Sequence, residues 1–313
     1  MILQLKAMKT VSFAGPLRAT EKGNNHMYKI RVSTDSTADI PKELAEELQI
    51  PVLPLTILAD GKEYLDGVDL SCEEFYRLLE QCREVPTTSQ VSTRRYLELY
   101  EQTWKLGYTN LIHTAINSKG SGTYQAAVLS RDLFFEEHPE AEAQLHIDII
   151  DSLTYSMLYG WGVVEGARLA RDGAEPQQVI DAITDWCRNS RAVFVPMTLK
   201  FVRKSGRVSA AAAFVGDAMG LKPAITFENG ESKVLTKFRG EKRVIPGLME
   251  RMQQERKPGT PYFLVYGTNR EQYEKLQEAC AAEMTEAPEL SYTVGNIISI
   301  NTGPDMIAVI YRR

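Results

Sequence analysis

Ile30–Leu48 reads I-R-V-S-T-D-S-T-A-D-I-P-K-E-L-A-E-E-L. The β-branched opening predicts a short strand, Ser33–Ala38 a hydroxyl-rich loop, and Leu44 with Leu48 one apolar face of a helix. Asp39 is placed to cap that helix, Pro41 suits its first turn, and Glu43 favours the positive end. A strand, a polar loop and a helix in this order predict an α/β unit. Its loop lies beyond the carboxyl end of a strand, where such sheets bind ligands. A buried turn held by side-chain hydrogen bonds is the competing reading of the same loop.

Outward from this unit the alternation continues. Ile50–Leu58 is apolar but carries Pro51 and Pro54, which predicts an edge strand. Asp60-Gly61 turns the chain, and Ser71 with Glu74 forms a capping box for a helix through Glu80. Cys82–Ser92 reads as a loop before a helix over Tyr96–Leu106. Strands are expected at Leu111–Thr114, His146–Asp151 and Val193–Pro196, with helices over Thr154–Arg171 and Glu175–Arg191. Gly160, Gly162 and Gly166 permit close packing of the first of these helices. Thr198–Ser209 reads as a cationic turn and Ala210–Met219 as a helix. Pro223–Phe227 and Lys233–Phe238 flank Asn229-Gly230, a hairpin signal. The remainder predicts a helix over Glu241–Arg256, a strand at Tyr262–Tyr266, a helix from Asn269 and strands at Tyr292–Ile298 and Met306–Tyr311. Asn301-Thr302-Gly303-Pro304 is the expected turn between those last strands.

The chain of 313 residues is long enough for two domains, and 43% hydrophobic with 25% charged residues is ordinary for a globular protein. A net charge of −5 argues against a general nucleic-acid binder. The four cysteines and four histidines show no metal-ligand spacing, and reduced cytoplasmic thiols are expected. No run approaches the ~20 apolar residues of a membrane span, so stable membrane insertion is not expected. Residues 1–27 read as an extension ahead of the first strand, with a weak secretory leader as the alternative.

Two hydroxyl-rich stretches and a cationic one stand out as sites for an anion. Thr87-Thr88-Ser89-Gln90-Val91-Ser92 precedes a helix, where hydroxyls and backbone N–H groups together can hold an acidic head group or serve only as caps. Asn117–Gln125 carries two glycines and lacks the spacing of a Walker A loop. Arg207 sits among the charges around Gly206, which equally describes a solvated basic turn.

Taken in order, Thr34–Asp39, Thr88–Ser92, Ser121–Gln125, Ser205–Ser209 and Thr302-Gly303-Pro304 resemble the DegV family of fatty-acid-binding proteins, including FakB, the acyl-carrying subunit of bacterial fatty acid kinase. The resemblance runs from Tyr28 to the C-terminus. It implies an α/β class, two-domain architecture: an α/β sheet domain over 28–152 and a mixed α+β domain over 153–313. The ligand is expected between them, with 62–84 open to packing on the second domain. It also implies a non-catalytic, cytoplasmic protein without cofactor, which holds a long-chain fatty acid for an ATP-dependent kinase that feeds phospholipid synthesis. By motif position Ser89, Ser92, Arg207 and Asn301 are the candidates for the carboxylate, with Arg207 alternatively a kinase contact. Ser36, Ser118, Ser121 and Thr123 are cavity or polar-loop candidates.

The sequence departs from that family pattern at several places. FakB-like sequences read Ser-Gln-Pro-Ser at Ser89–Ser92, Gly-Gly-Arg at Ser205–Arg207, Ser-Ser-x-Leu at Asn117–Gly120, and often His at Asn301. Asn can donate a hydrogen bond but cannot supply an imidazolium. A lipid carrier or sensor without a kinase therefore stands as the alternative function. An enzyme using Ser36 or Ser92 as nucleophile beside Asp35 is a further reading, and no histidine or lysine base is adjacent in sequence to support it.

Overall fold

β1 (Ile30–Asp35) takes in Ser33, Thr34 and Asp35, the first half of the expected polar loop. Its neighbouring strand satisfies their hydroxyls: Ser33 Oγ lies 2.9 Å from His113 Nδ1, and Thr34 Oγ1 donates to the Thr114 carbonyl at 2.8 Å. The structure, a computed structural model, describes residues 28–212 and 220–313. The expected extension 1–27 and the part of the Ala210–Met219 helix beyond 212 lie outside the described residues.

A single turn over Ser36–Ala38 follows, capped by Asp35, and α1 (Lys42–Glu47) has Pro41 at its N-cap. Asp39 does not cap this helix. Its backbone is left-handed, with φ 54°, and its carboxylate instead accepts from Ser156 Oγ at 2.5 Å. β2 (Val52–Leu53) is followed by the hairpin β3 (Thr56–Ala59) and β4 (Lys62–Leu65), turned by Asp60 and Gly61 at φ 47° and 80°. α2 (Cys72–Gln81) carries the expected Ser71–Glu74 capping box. The stretch read as a loop contains β5 (Thr87–Ser89), which pairs antiparallel with the free side of β3.

α3 (Thr93–Lys105), β6 (Asn110–Ala115), α4 (Thr123–Glu137), β7 (His146–Asp151), α5 (Met157–Arg171), α6 (Pro176–Asn189) and β8 (Ser190–Val195) follow the expected alternation. The cationic stretch is a helix, α7 (Lys200–Ser205), ended by Gly206 at φ 67°, and α8 begins at Ser209 (Ser209–Ala212). The expected turn over Thr198–Ser209 is thus confined to Gly206, which lets the chain leave that helix in the left-handed region. β9 (Leu221–Glu228) and β10 (Glu231–Arg239) form the Asn229-Gly230 hairpin. α9 (Val244–Glu255), β11 (Tyr262–Tyr266), α10 (Arg270–Glu283), β12 (Leu290–Thr293), α11 (Asn296–Thr302) and β13 (Ile307–Arg312) complete the described chain.

The expected strand over Tyr292–Ile298 therefore stops at Thr293. Ile297 and Ile300 share one face of α11 and enter one core, while Ile298 enters another. Only a helix can serve two cores in this way with that spacing. Asn301 and Thr302 are likewise its last turn rather than a loop.

β2-β1-β6-β7 form a parallel sheet, and β10-β9-β8-β13-β11-β12 a mixed sheet. α5 and α6 lie between them, sharing one core with Val32 and Ile112 of the first sheet and Phe194 and Phe263 of the second. Tyr96, Tyr100 and Phe134 of α3 and α4 cover the outer face of the first sheet, and Leu248, Met252 and Leu276 of α9 and α10 that of the second. α2 meets the C-terminal segment directly. Tyr76 donates to the Val294 carbonyl at 2.8 Å, and Asp66 accepts from Asn296 Nδ2 at 2.9 Å.

Candidate ligand-binding site

A cavity of about 410 Å³ opens where these parts converge. One side is built by Leu55 ahead of β3, Ser89 and Gln90 at the end of β5, Ile116 after β6, and Ser121 ahead of α4. The other is built by Arg207 and Val208, Phe227 on β9, and Ile297, Ile298 and Asn301 on α11. Leu55, Ile116, Val208, Ile297 and Ile298 are buried, whereas Ser89, Gln90 and Arg207 are exposed. The depth is thus apolar and the polar side chains stand toward solvent.

The Arg207 side of the mouth is tied together by its own hydrogen bonds. Arg207 Nη1 donates to the Ser205 carbonyl at 2.9 Å, and Ser205 Oγ donates to the Asn301 carbonyl at 3.4 Å. Asn301 Nδ2 donates back to the Ile297 carbonyl at 2.7 Å, which spends one of its two amide protons. Ser121 Oγ lies 2.8 Å from Thr123 Oγ1. Gln90 folds over Gly122, whose Cβ would lie 2.0 Å from Gln90 Oε1, so a side chain there would turn the Gln90 amide aside.

Among the sequence candidates, Ser89, Arg207, Asn301 and Ser121 line the cavity together, and Ser92, Ser36, Ser118 and Thr123 do not. Ser92 is the exposed N-cap position of α3 and makes no side-chain cap bond; Gln90 and the buried Val91 separate it from Ser89 at the end of β5. Ser36 Oγ accepts from Leu55 N at 3.1 Å, Ser118 N donates to Asp151, and Thr123 is fully buried. Gln90, Tyr155 and Phe227 were missed. Gln90 lies within one of these motifs, but nothing local marks Tyr155 or Phe227, which the fold brings in from the segment ahead of α5 and from β9.

The Asp35–Asp39 motif builds a buried polar junction. Asp35 accepts from Thr37 N at 3.0 Å, Ile116 N at 2.8 Å and Tyr159 Oη at 2.8 Å, and burial raises its pKa above the usual carboxylate range. Asp39 faces Ser156 and the Gly295 N–H; burial pushes its carboxyl up to about 7. Asp66 is pushed up to about 6, again by burial, against hydrogen bonds from Ser36 and Asn296. Ser36 thus faces the Leu55 N–H and Asp66 rather than a basic nitrogen. His113 is bonded to Ser33 and Tyr96, and burial lowers it to about 3, which keeps it neutral. Among the described residues no group of three His, Cys, Asp or Glu side chains could hold a metal, and no helix is long and apolar enough to cross a membrane.

Residues 29–313 match the family described as an uncharacterised protein, DegV family. The chain belongs to the DegV family. A DegV domain-containing protein of Caldanaerobacter subterraneus is 33% identical over 291 residues, which cover 91% of this chain and 99% of that relative. DegV of Bacillus subtilis, a fatty acid binding protein, superposes with a TM-score of 0.76 at 27% identity, covering 90% and 98% of the two chains. A fatty-acid-binding DegV family protein of Thermus thermophilus matches in fold with a TM-score of 0.80 at 24% identity, covering 91% and 100%. The DegV fold thus accounts for the two sheets and their helical layers.

Proposed function

We propose that this chain binds a long-chain fatty acid in the 410 Å³ cavity, with its carboxylate at Ser89, Arg207 and Asn301 and its tail against Leu55, Ile116 and Ile298. One observation carries the reading: an apolar depth behind a mouth with a single arginine, in a chain related to a fatty acid binding protein. The volume falls within the ~300–1,000 Å³ of small-molecule sites. Each buried methylene contributes ~0.8 kcal/mol before binding costs, so the tail dominates affinity and the head group fixes orientation. The ligand then lies between the units 28–152 and 153–313.

We further propose that the protein is a non-catalytic cytoplasmic carrier that presents the carboxylate to an ATP-dependent fatty acid kinase for acyl-phosphate formation and phospholipid synthesis. The exposed position of Arg207 favours this, because a partner can reach the head group there. The second reading, a carrier or sensor without a kinase, is favoured by Asn301, whose amide is tied to its own helix.

Arg207→Ala is expected to weaken displacement of a fluorescent fatty-acid analogue ~10–100-fold, the loss of one charge-assisted hydrogen bond. An unchanged affinity would remove Arg207 from the head-group site. Mixing the loaded protein with a fatty acid kinase and ATP should form acyl phosphate. No transfer from a loaded sample leaves the kinase-free carrier.

A further inference from the structure

A second pocket of about 380 Å³ adjoins the first, lined by Lys119, Ser205, Ser209, Glu231 and Ser232. Its lining is polar where the first is largely apolar. Gly120, Tyr155 and Arg207 line both spaces. Of these, only Tyr155 has a ring large enough to wall one off from the other.

Tyr155 is fixed from three sides. Its hydroxyl accepts from Asn117 Nδ2 at 2.7 Å, and the same amide donates to the Gly230 carbonyl at the β9–β10 turn at 2.8 Å. The ring lies 4.4 Å from that of Phe227. Its hydroxyl fills the space beside Gly120, whose Cβ would lie 2.3 Å away. Leu153 and Ser156, on either side, hold φ of 53° and 58°, a backbone that L side chains rarely adopt. Such a ring cannot swing aside without breaking these contacts together.

We infer that Tyr155 is a specificity-determining partition, which stops the fatty-acid head group at Arg207 and bars it from the polar pocket. This inference rests on the fatty-acid reading above. Because Arg207 borders both spaces, removing the ring lets the carboxylate move past the mouth into the second pocket, and the room left behind admits a longer tail. Tyr155 thereby sets the longest chain that fits.

The test is competitive loading from an equimolar series of saturated fatty acids that differ by two methylenes, followed by extraction and mass spectrometry. Tyr155→Phe, which keeps the ring, should retain the wild-type profile. Tyr155→Ala should shift the preferred ligand at least one step longer, with a ~10-fold change in the ratio of adjacent ligands, the worth of two methylenes. Tyr155→Leu serves as a second, better-packed variant, with folding of each checked by circular dichroism. Folded, loaded Ala and Leu variants with the wild-type profile would overturn the partition alone. A wild-type protein that takes up no member of the series would overturn the fatty-acid reading, and the partition with it.

Discussion

Gly160→Ala is expected to lower the free energy of unfolding by ~3 kcal/mol or more, the upper end for overpacking. In an ordinary helix this change would stabilise by up to ~1 kcal/mol, because alanine is the better helix former. Here the added Cβ would lie 2.2 Å from the Ala38 carbonyl oxygen, 3.1 Å from its carbon and 3.0 Å from Met157 Sδ. A backbone carbonyl cannot rotate away as a side chain can. Shifting it drags Asp39, the next residue, from Ser156, and weakens the bond in which Ser156 N donates to the Thr37 carbonyl at 3.0 Å. The start of α5 and the Ser36–Ala38 turn after β1 would separate at their polar junction. Gly162→Ala is the milder comparison: its Cβ would lie 3.2 Å from the Ile183 carbonyl oxygen and from Trp186 Cδ1, a crowding that a shift of a few tenths of an ångström relieves, and the change should cost clearly less than Gly160→Ala. Urea unfolding of both variants checks the difference, and equal losses would contradict the argument.

The second large effect is a pH dependence carried by Asp39. Its carboxyl is pushed up to about 7 by burial, from an ordinary value near 3.8. Between those values the unfolded chain releases a proton that the folded chain keeps, so Asp39's contribution is fully present below about 4 and is lost as pH rises through about 7. Asp66 acts in the same direction up to about 6, and Asp35 is raised as well. His113, lowered to about 3, acts oppositely: its contribution grows as pH rises from about 3 through the ordinary value of 6.5. Total stability therefore blends opposing slopes, and the interacting carboxyls titrate together.

The difference between wild type and Asp39→Asn reads Asp39 together with its coupling to Asp66 and Asp35. Wild-type stability should fall relative to the variant by up to ~1.4 kcal/mol per pH unit between pH ~4.5 and ~7, and by ~2–4 kcal/mol in all. Part of the Asp39 residue reaches solvent, which favours the lower figure. Urea unfolding of both proteins across that range measures it. A pH-independent difference would mean that Asp39 titrates normally in the fold.

The features legible in the sequence are those whose causes are local. Ser71 and Glu74 satisfy each other within one helical turn, and Asn229-Gly230 and Asp60-Gly61 can each adopt the two left-handed conformations that a tight hairpin needs. What escaped depends on distant partners. Asp39 reads as a helix cap until Ser156 and Gly295 are placed against it. Ile297–Ile300 is a short apolar run that strand and helix explain equally well until its two faces meet different cores. Ser89 and Ser92 share one motif, yet one ends a strand at the cavity and the other starts a helix facing solvent. The family resemblance brings Ser89, Ser92, Arg207 and Asn301 forward as a set, and the chain's long-range packing places all of them but Ser92 at one mouth. Tyr155 belongs to no such motif, and only the two adjoining spaces give it a role.

The central claim is that the cavity holds a fatty acid. Native mass spectrometry of the purified protein, followed by denaturation and lipid analysis of the same sample, tests it most directly. The account predicts a mass increment of one fatty acid per chain that is released on denaturation and identified in the extract. A protein that is empty as purified and that also takes up no fatty acid from an added panel would contradict it.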